Sequence, residues 1–321
     1  MAKRKIRSAD PQAIAPDRLT MTLFAPGMSP MHRAGLGGLA ATLKYIERAY
    51  ASGQLKPEEL PGGPWPNNKP PWSVEPLSIT LDFGEPTNAR SYLERLFRIA
   101  FGLKDNLIYL PGQYDNIEPP LPVRALLQQA ITLTFLQHGR VRELGKETVL
   151  SYQPADYPEA TIELNYRPCI SYKHQTGWQD MVTENGCLKT GPIEVVGPLN
   201  PGAVVRHVAF SADTKIEEDV AHILPLYFAL VGCVALVINR GCAVLLVPEV
   251  TDLVRFAQIR PWLTPSTERE CQITSAGDAA LQAQIRLWAK GQLAVTELPG
   301  FHASIFQPTP WASQQKSRVR T

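Results

Sequence analysis

The sequence predicts a mixed α+β fold: polar antiparallel sheets, helices packed on them, and long proline-rich loops in an irregular frame. Three observations lead there. Apolar residues alternate with polar ones over short runs such as LTMTLFA (19–25) and LSITLDF (77–83), the period of a half-buried strand. Elsewhere they recur every three or four residues, the period of a helix with one buried face. Between these lie stretches such as GGPWPNNKPPW and IEPPLP, and the chain holds 29 prolines among 321 residues, about twice the usual share.

The elements follow in order. A strand over 19–25 leads to a helix over 34–52, small residues first and then Leu43, Ile46 and Ala49 at helical spacing. A Gly/Pro/Trp loop covers 53–76, and 77–83 is the second strand. The next helix, 87–101, has Tyr92, Leu93, Leu96, Phe97 and Ala100 as its buried stripe. LIYLPG gives a short strand, and 122–138 a third helix. From 147 to 210 the chain is polar and strand-like. A helix over 216–230 then runs into strands at 233–239 and 242–247, joined by Asn239, Arg240 and Gly241, a turn of hairpin type. Helices at 249–257 and 276–289 and a strand within TELPGFHASIFQ close the chain. These changes of texture divide it into 1–146, a lobe carrying the Pro/Trp loop; 147–265, rich in strands; and 266–321, a helix and tail.

Composition excludes several classes. With 44% hydrophobic and 19% charged residues the chain is not a disordered one. The net charge of +2 is too small for bulk electrostatics to attract nucleic acid, so such binding has to come from local patches. The five cysteines have no C-x-x-C spacing, which supports neither a disulfide framework nor zinc and fits reduced thiols in a cytoplasmic protein. The apolar run 223–238 approaches membrane-spanning length, but Pro225 and Gly232 interrupt it; a buried helix entering a hairpin explains it better than a membrane span.

GLGGLA at 35–40 satisfies the dinucleotide pattern G-x-G-x-x-G/A. That turn needs its first glycine directly after a strand. Here Pro26, Gly27 and Pro30 lie between the strand and Gly35, and no acidic residue ends a second strand about twenty residues on. The better reading is a helix whose small first turns let it approach another backbone. P-loop, nucleophile-elbow and zincin motifs are absent, and the six histidines are scattered. No catalytic residue, metal site or cofactor is expected.

Two stretches suit nucleic acid. Residues 62–72 set Asn67, Asn68 and Lys69 on a proline-stiffened frame with two tryptophans; amides and ammonium groups bond base edges, and aromatics stack or wedge. The alternative is a surface loop whose tryptophans pin it to the core. Residues 171–179 mix cations, amides and aromatics (Tyr172, Lys173, His174, Gln175 and Trp178), and Lys173, His174 and Gln175, with Arg206 and His207 further on, are the candidates for backbone contacts to DNA or guide RNA; an ordinary polar hairpin explains the stretch too. Arg140, Arg142 and Lys146 form a weaker basic cluster.

LFAPGMSPMHRAGLGGLAATL (23–43) resembles the N-terminal signature of type I CRISPR large subunits of the Cas-eight type, in the MYXAN version also found in subtype I-B-like transposon systems. NPGAVVRHVAF (200–210) and LPLYFALVGC (224–233) are similar to further stretches of that family. The resemblance covers most of residues 20–250. It implies a non-catalytic subunit of a Cascade complex that sits at the 5′ end of the guide RNA and recognises the flanking PAM of target double-stranded DNA. Its partners would be the backbone and fifth-type subunits, a small subunit and, in transposon systems, transposition proteins. One departure is clear: such subunits often end in a helical bundle, and this sequence shows one late helix. Two other readings remain. One is a repeat-RNA endoribonuclease with His174 as general base beside Lys173 and Tyr172; the other is a scaffold without nucleic-acid contact.

Overall fold

A computed structural model describes residues 15–115, 117–154, 157–201, 215–238, 241–290, 299–309 and 316–320. Strand β1 (Arg18–Thr22) enters helix α1 (Pro30–Ala51), which lies at the centre of the molecule. The helix begins four residues before the sequence reading places it. Ser29 caps it, Pro30 takes the first helical position, and His32 returns the bond, its Nδ1 accepting from the Ser29 backbone N–H at 3.2 Å.

β1 pairs antiparallel with β3 (Ser78–Asp82), which also pairs with β2 (Trp72–Val74). Helix α2 (Ala89–Ala100) buries Tyr92, Leu93, Leu96, Phe97 and Ala100, the predicted stripe. The hairpin β4 (Gly102–Lys104) and β5 (Leu107–Tyr109) precedes α3 (Leu121–Leu133). α3 is shorter than its apolar pattern because Thr134 turns out of it, its hydroxyl donating back to the Ala130 carbonyl. Three small antiparallel pairs then use β6 (Arg142–Leu144) with β9 (Cys169–Tyr172), β7 (Thr148–Tyr152) with β8 (Ile162–Tyr166), and β10 (Ile193–Val196) with β11 (Lys215–Glu218). The helix read over 216–230 is therefore shorter: 215–218 is strand, with Ile216 opposite Val195, and α4 spans Val220–Gly232.

α4 runs directly into β12 (Val234–Ile238) and β13 (Cys242–Pro248), so the long apolar run is a buried helix entering a hairpin. Residues 239–240 of the hairpin turn, and most of 200–210, lie outside the described residues. α5 spans Leu253–Leu263, later than its apolar residues alone suggest, because Pro248 ends β13 and Asp252 caps the helix by accepting from the Arg255 N–H. α6 occupies Ala276–Ala289 as predicted. β14 (Phe301–Thr309) and β15 (Lys316–Arg320) complete a four-stranded sheet in the order β12-β13-β14-β15. Buried side chains from all three sequence regions, among them Leu39, Leu188 and Leu287, belong to one continuous apolar cluster.

The crossing of α1 and α4 explains the glycine-rich motif. A methyl group on Gly35 would lie 1.9 Å from the Pro225 carbonyl oxygen, and one on Gly38 would lie 2.3 Å from that of Phe228. From the other side, one on Gly232 would lie 1.8 Å from the Ala34 oxygen. Backbone meets backbone here, and only glycine allows it. The carboxyl end of α4 is held by Arg260, which is fully buried. Its guanidinium donates to the carbonyls of Val231 (2.6 Å) and Cys233 (2.7 Å) and to the Thr264 hydroxyl (2.9 Å). A cation at a helix carboxyl end is electrostatically favoured. Burial lowers the Arg260 pKa to about 10, so it still carries its charge.

Candidate nucleic-acid interface

The Pro/Trp loop forms a finger fixed at its base. Trp65 and Trp72 meet edge to face, with ring centroids 4.9 Å apart, and both are buried. Trp65 also packs edge-on against Tyr50 of α1 at 4.9 Å. The Trp72 indole donates to Glu47 Oε1 at 2.8 Å, and the Trp65 indole to the Pro61 carbonyl at 3.2 Å. α2 holds the other flank: Tyr92 Oη donates to the Pro71 carbonyl, and Arg95 to that of Leu60. The tryptophans are anchors, as in the structural reading of this loop, and neither ring is available to stack on a base.

The tip is different. Asn67, Asn68 and Lys69 are all exposed. Asn67 (φ 54°) and Asn68 (φ 58°) adopt the left-handed conformation, which asparagine tolerates better than most residues. The Asn68 N–H donates to the Trp65 carbonyl and that of Lys69 to the Pro66 carbonyl, closing the turn. Tyr50 Oη donates to Asn68 Oδ1 at 3.3 Å, leaving the Asn68 amide N–H groups pointing away from that contact. The structure thus brings the three predicted tip residues together on one rigid, exposed turn. Glu47, Tyr50, Tyr92 and Arg95, which position it, are distant in sequence, and no local motif marks them.

The second stretch corrects its reading. Lys173–Asp180 forms an extended 3-10 turn packed into the core. His174 is 1% exposed, surrounded by the rings of Phe101 (5.4 Å), Tyr227 (5.6 Å) and Tyr172 (5.9 Å). Neither ring nitrogen has a hydrogen-bond partner among the described residues, and burial, with a smaller effect from Lys173, pushes its pKa down to about 3. A neutral, enclosed imidazole contacts no phosphate and cannot serve as the general base of a ribonuclease. Lys173 is tied to Asp180 at 2.9 Å, and the same carboxylate accepts from Tyr227 Oη at 2.6 Å. Gln175 Oε1 accepts from the Tyr172 N–H, capping the turn. These groups stabilise the core and do not form an outward basic surface. Arg206 and His207 lie outside the described residues. In the third cluster Arg142 turns inward and donates to the Thr132 carbonyl, while Arg140 and Lys146 are exposed.

Among the described residues no three His, Cys, Asp or Glu side chains gather to hold a metal, and no helix is long and apolar enough to cross a membrane. All five cysteines are free thiols; burial raises the pKa of Cys169 to about 11 and of Cys233 and Cys271 to about 12.

Comparison with known proteins places this geometry. The DevT N-terminal domain family matches residues 20–227, more than half of the chain. The chain belongs to that family. It is also similar to the CRISPR-associated protein Cas8a1/Csx13 of Myxococcus xanthus (strain DK1622), at 34% identity over 340 residues. The match takes in 98% of this chain and 55% of the relative, so the chain spans about half the length of that protein. The resemblance carried by residues 23–43 is borne out, and the finger lies inside the family's matched region.

Proposed function

We propose that this family member is a non-catalytic large subunit of an RNA-guided type I CRISPR complex. In this reading it holds the 5′ end of the guide RNA among the other Cascade subunits, recognises the PAM duplex and helps to open target DNA. The observation that carries it is the finger: a turn locked at its base by Trp65 and Trp72, presenting two amides and an ammonium group at an exposed tip. Such groups match the donor and acceptor pattern of base edges, and a preordered turn limits the entropy cost of binding. The relative's name, that of a CRISPR-associated protein, supports the setting. Division of labour between guide pairing and protein reading of a short duplex motif has a parallel in single-protein effectors.

The test replaces Asn67→Gly, Asn68→Gly and Lys69→Ala together. Glycine keeps the left-handed backbone, so the finger retains its path. In the assembled complex, affinity for a PAM-bearing duplex should fall by about 1–3 kcal/mol for each base-edge hydrogen-bonding pair removed. Affinity for a duplex lacking the PAM should change little. Unaltered PAM discrimination in the triple variant removes the finger from this role.

A further inference from the structure

Arg260 is a buried cation without a buried anion. It carries its charge at neutral pH, and among the described residues no carboxylate lies within ion-pairing distance of it. Its hydrogen bonds go to neutral acceptors, the carbonyls of Val231 and Cys233 and the Thr264 hydroxyl. A guanidinium has five N–H donors, so each terminal nitrogen keeps one more to give. A second buried cation adds to the local charge. Arg286 of α6 is felt at Arg260, and its own bonds go to the carbonyls of Leu263 and Glu270. Burying a charge is costly unless it is paired.

A small cavity adjoins this guanidinium, between α3, α4, β12 and α5. Arg260, Gln113 and Thr264 supply its polar lining, and apolar groups such as Leu127, Phe135 and Ala235 most of the rest. It has room for one water-sized occupant. We infer that this cavity is a binding site for a single monatomic anion of the chloride class, held by the remaining Arg260 N–H groups as their counter-ion. The other polar groups are already committed. Gln113 Nε2 donates to the carbonyls of Leu230 and Val231, and the Thr264 hydroxyl donates to the Gln113 carbonyl. A water would need acceptors for its own hydrogens as well as donors. An anion only accepts, so guanidinium on one part of the wall and hydrocarbon on the rest satisfy it. Phosphate and sulfate exceed the space. The ion neutralises the charge that grips the carboxyl end of α4, and so couples halide to the α1–α4 crossing. The inference is independent of the finger and of any role in nucleic-acid binding.

The experiment combines anomalous diffraction from crystals grown in sodium bromide with thermal unfolding in sodium chloride and in sodium gluconate at equal ionic strength. The expected results are a bromide peak within hydrogen-bonding reach of Arg260 Nη1 and Nη2, and a thermal midpoint that rises with chloride, by about 5 °C at saturation, and not with gluconate. Ala235→Val tests the site without touching Arg260, whose removal would also release the end of α4. The larger side chain fills the cavity, so the bromide peak and the chloride dependence should both disappear while the cooperative transition remains. Three results overturn the proposal: no peak in the cavity; a peak with no chloride dependence of stability, which is an adventitious ion only; or a chloride response that Ala235→Val retains.

Discussion

In the finger at 61–73 the aromatic rings point inward and the amides and lysine point outward. In the segment at 171–180 the order is reversed: His174 is enclosed by three aromatic rings, and Lys173 is folded down onto Asp180. Both stretches mix tryptophan, lysine, amides and glycine. What separates them is their fixation. Prolines and two buried indoles stiffen the finger and leave its tip to solvent, whereas β9 carries 171–180 straight into the packing of α2 and α4. An apparent recognition surface is therefore decided by where the backbone pins each side chain, and composition alone does not report that.

The contrast can be broken most severely at His174. His174→Lys sets an ammonium group among Phe101, Tyr172 and Tyr227, and should destabilise the fold by more than about 4 kcal/mol, read as loss of soluble protein or of a cooperative thermal transition. Removing the finger's anchor comes next. Trp72→Ala should cost about 3–5 kcal/mol in denaturant unfolding, because it empties a buried ring site and frees Glu47 from its indole partner.

The pH response sharpens the comparison further. The folded pKa of His174, about 3, lies below its ordinary 6.5, so protons bind the unfolded chain more readily. The stability it contributes is present above pH 6.5 and is lost as pH falls toward 3. Between pH 7 and pH 5 this single group should remove about 2 kcal/mol. His174→Phe should flatten that part of the stability-versus-pH curve, as measured by urea unfolding at each pH. An unchanged slope would show that the imidazole is not enclosed. The smallest effect belongs to the tip: Asn67→Ala should cost about 1 kcal/mol of stability more than Asn67→Gly, because φ is 54° there, while the two variants bind DNA alike.

Much of the fold was legible in the sequence. The α2 stripe, the bounds of α6, and the apolar run as helix plus hairpin all follow from periodicity, which reports burial of one face directly. The close approach allowed by Gly35 and Gly38 was legible as a need for small residues, though not its partner, since Pro225 and Phe228 are nearly two hundred residues away. Boundaries set by single residues were harder. Ser29 and Asp252 move the starts of α1 and α5, and Ile216 opposite Val195 turns an expected helical turn into strand. Of the candidate site, the tip residues were legible because prolines and paired asparagines mark an exposed turn. His174 was misread because its enclosure depends on Phe101 and Tyr227, contributed from far along the chain.

The α1–α4 crossing bears on how the protein can be taken apart. The family's matched region stops at residue 227, inside α4, before Phe228 and Gly232. A recombinant fragment cut there would keep Gly38 without the backbone that rests on it, and would lose the rest of α4 together with Arg260, which holds that helix's carboxyl end through the carbonyls of Val231 and Cys233. The shortest piece with a prospect of dissolving and giving dispersed spectra therefore runs past the hairpin of β12 and β13 and through α5. Borders drawn by similarity and borders drawn by autonomous folding are different borders in this chain.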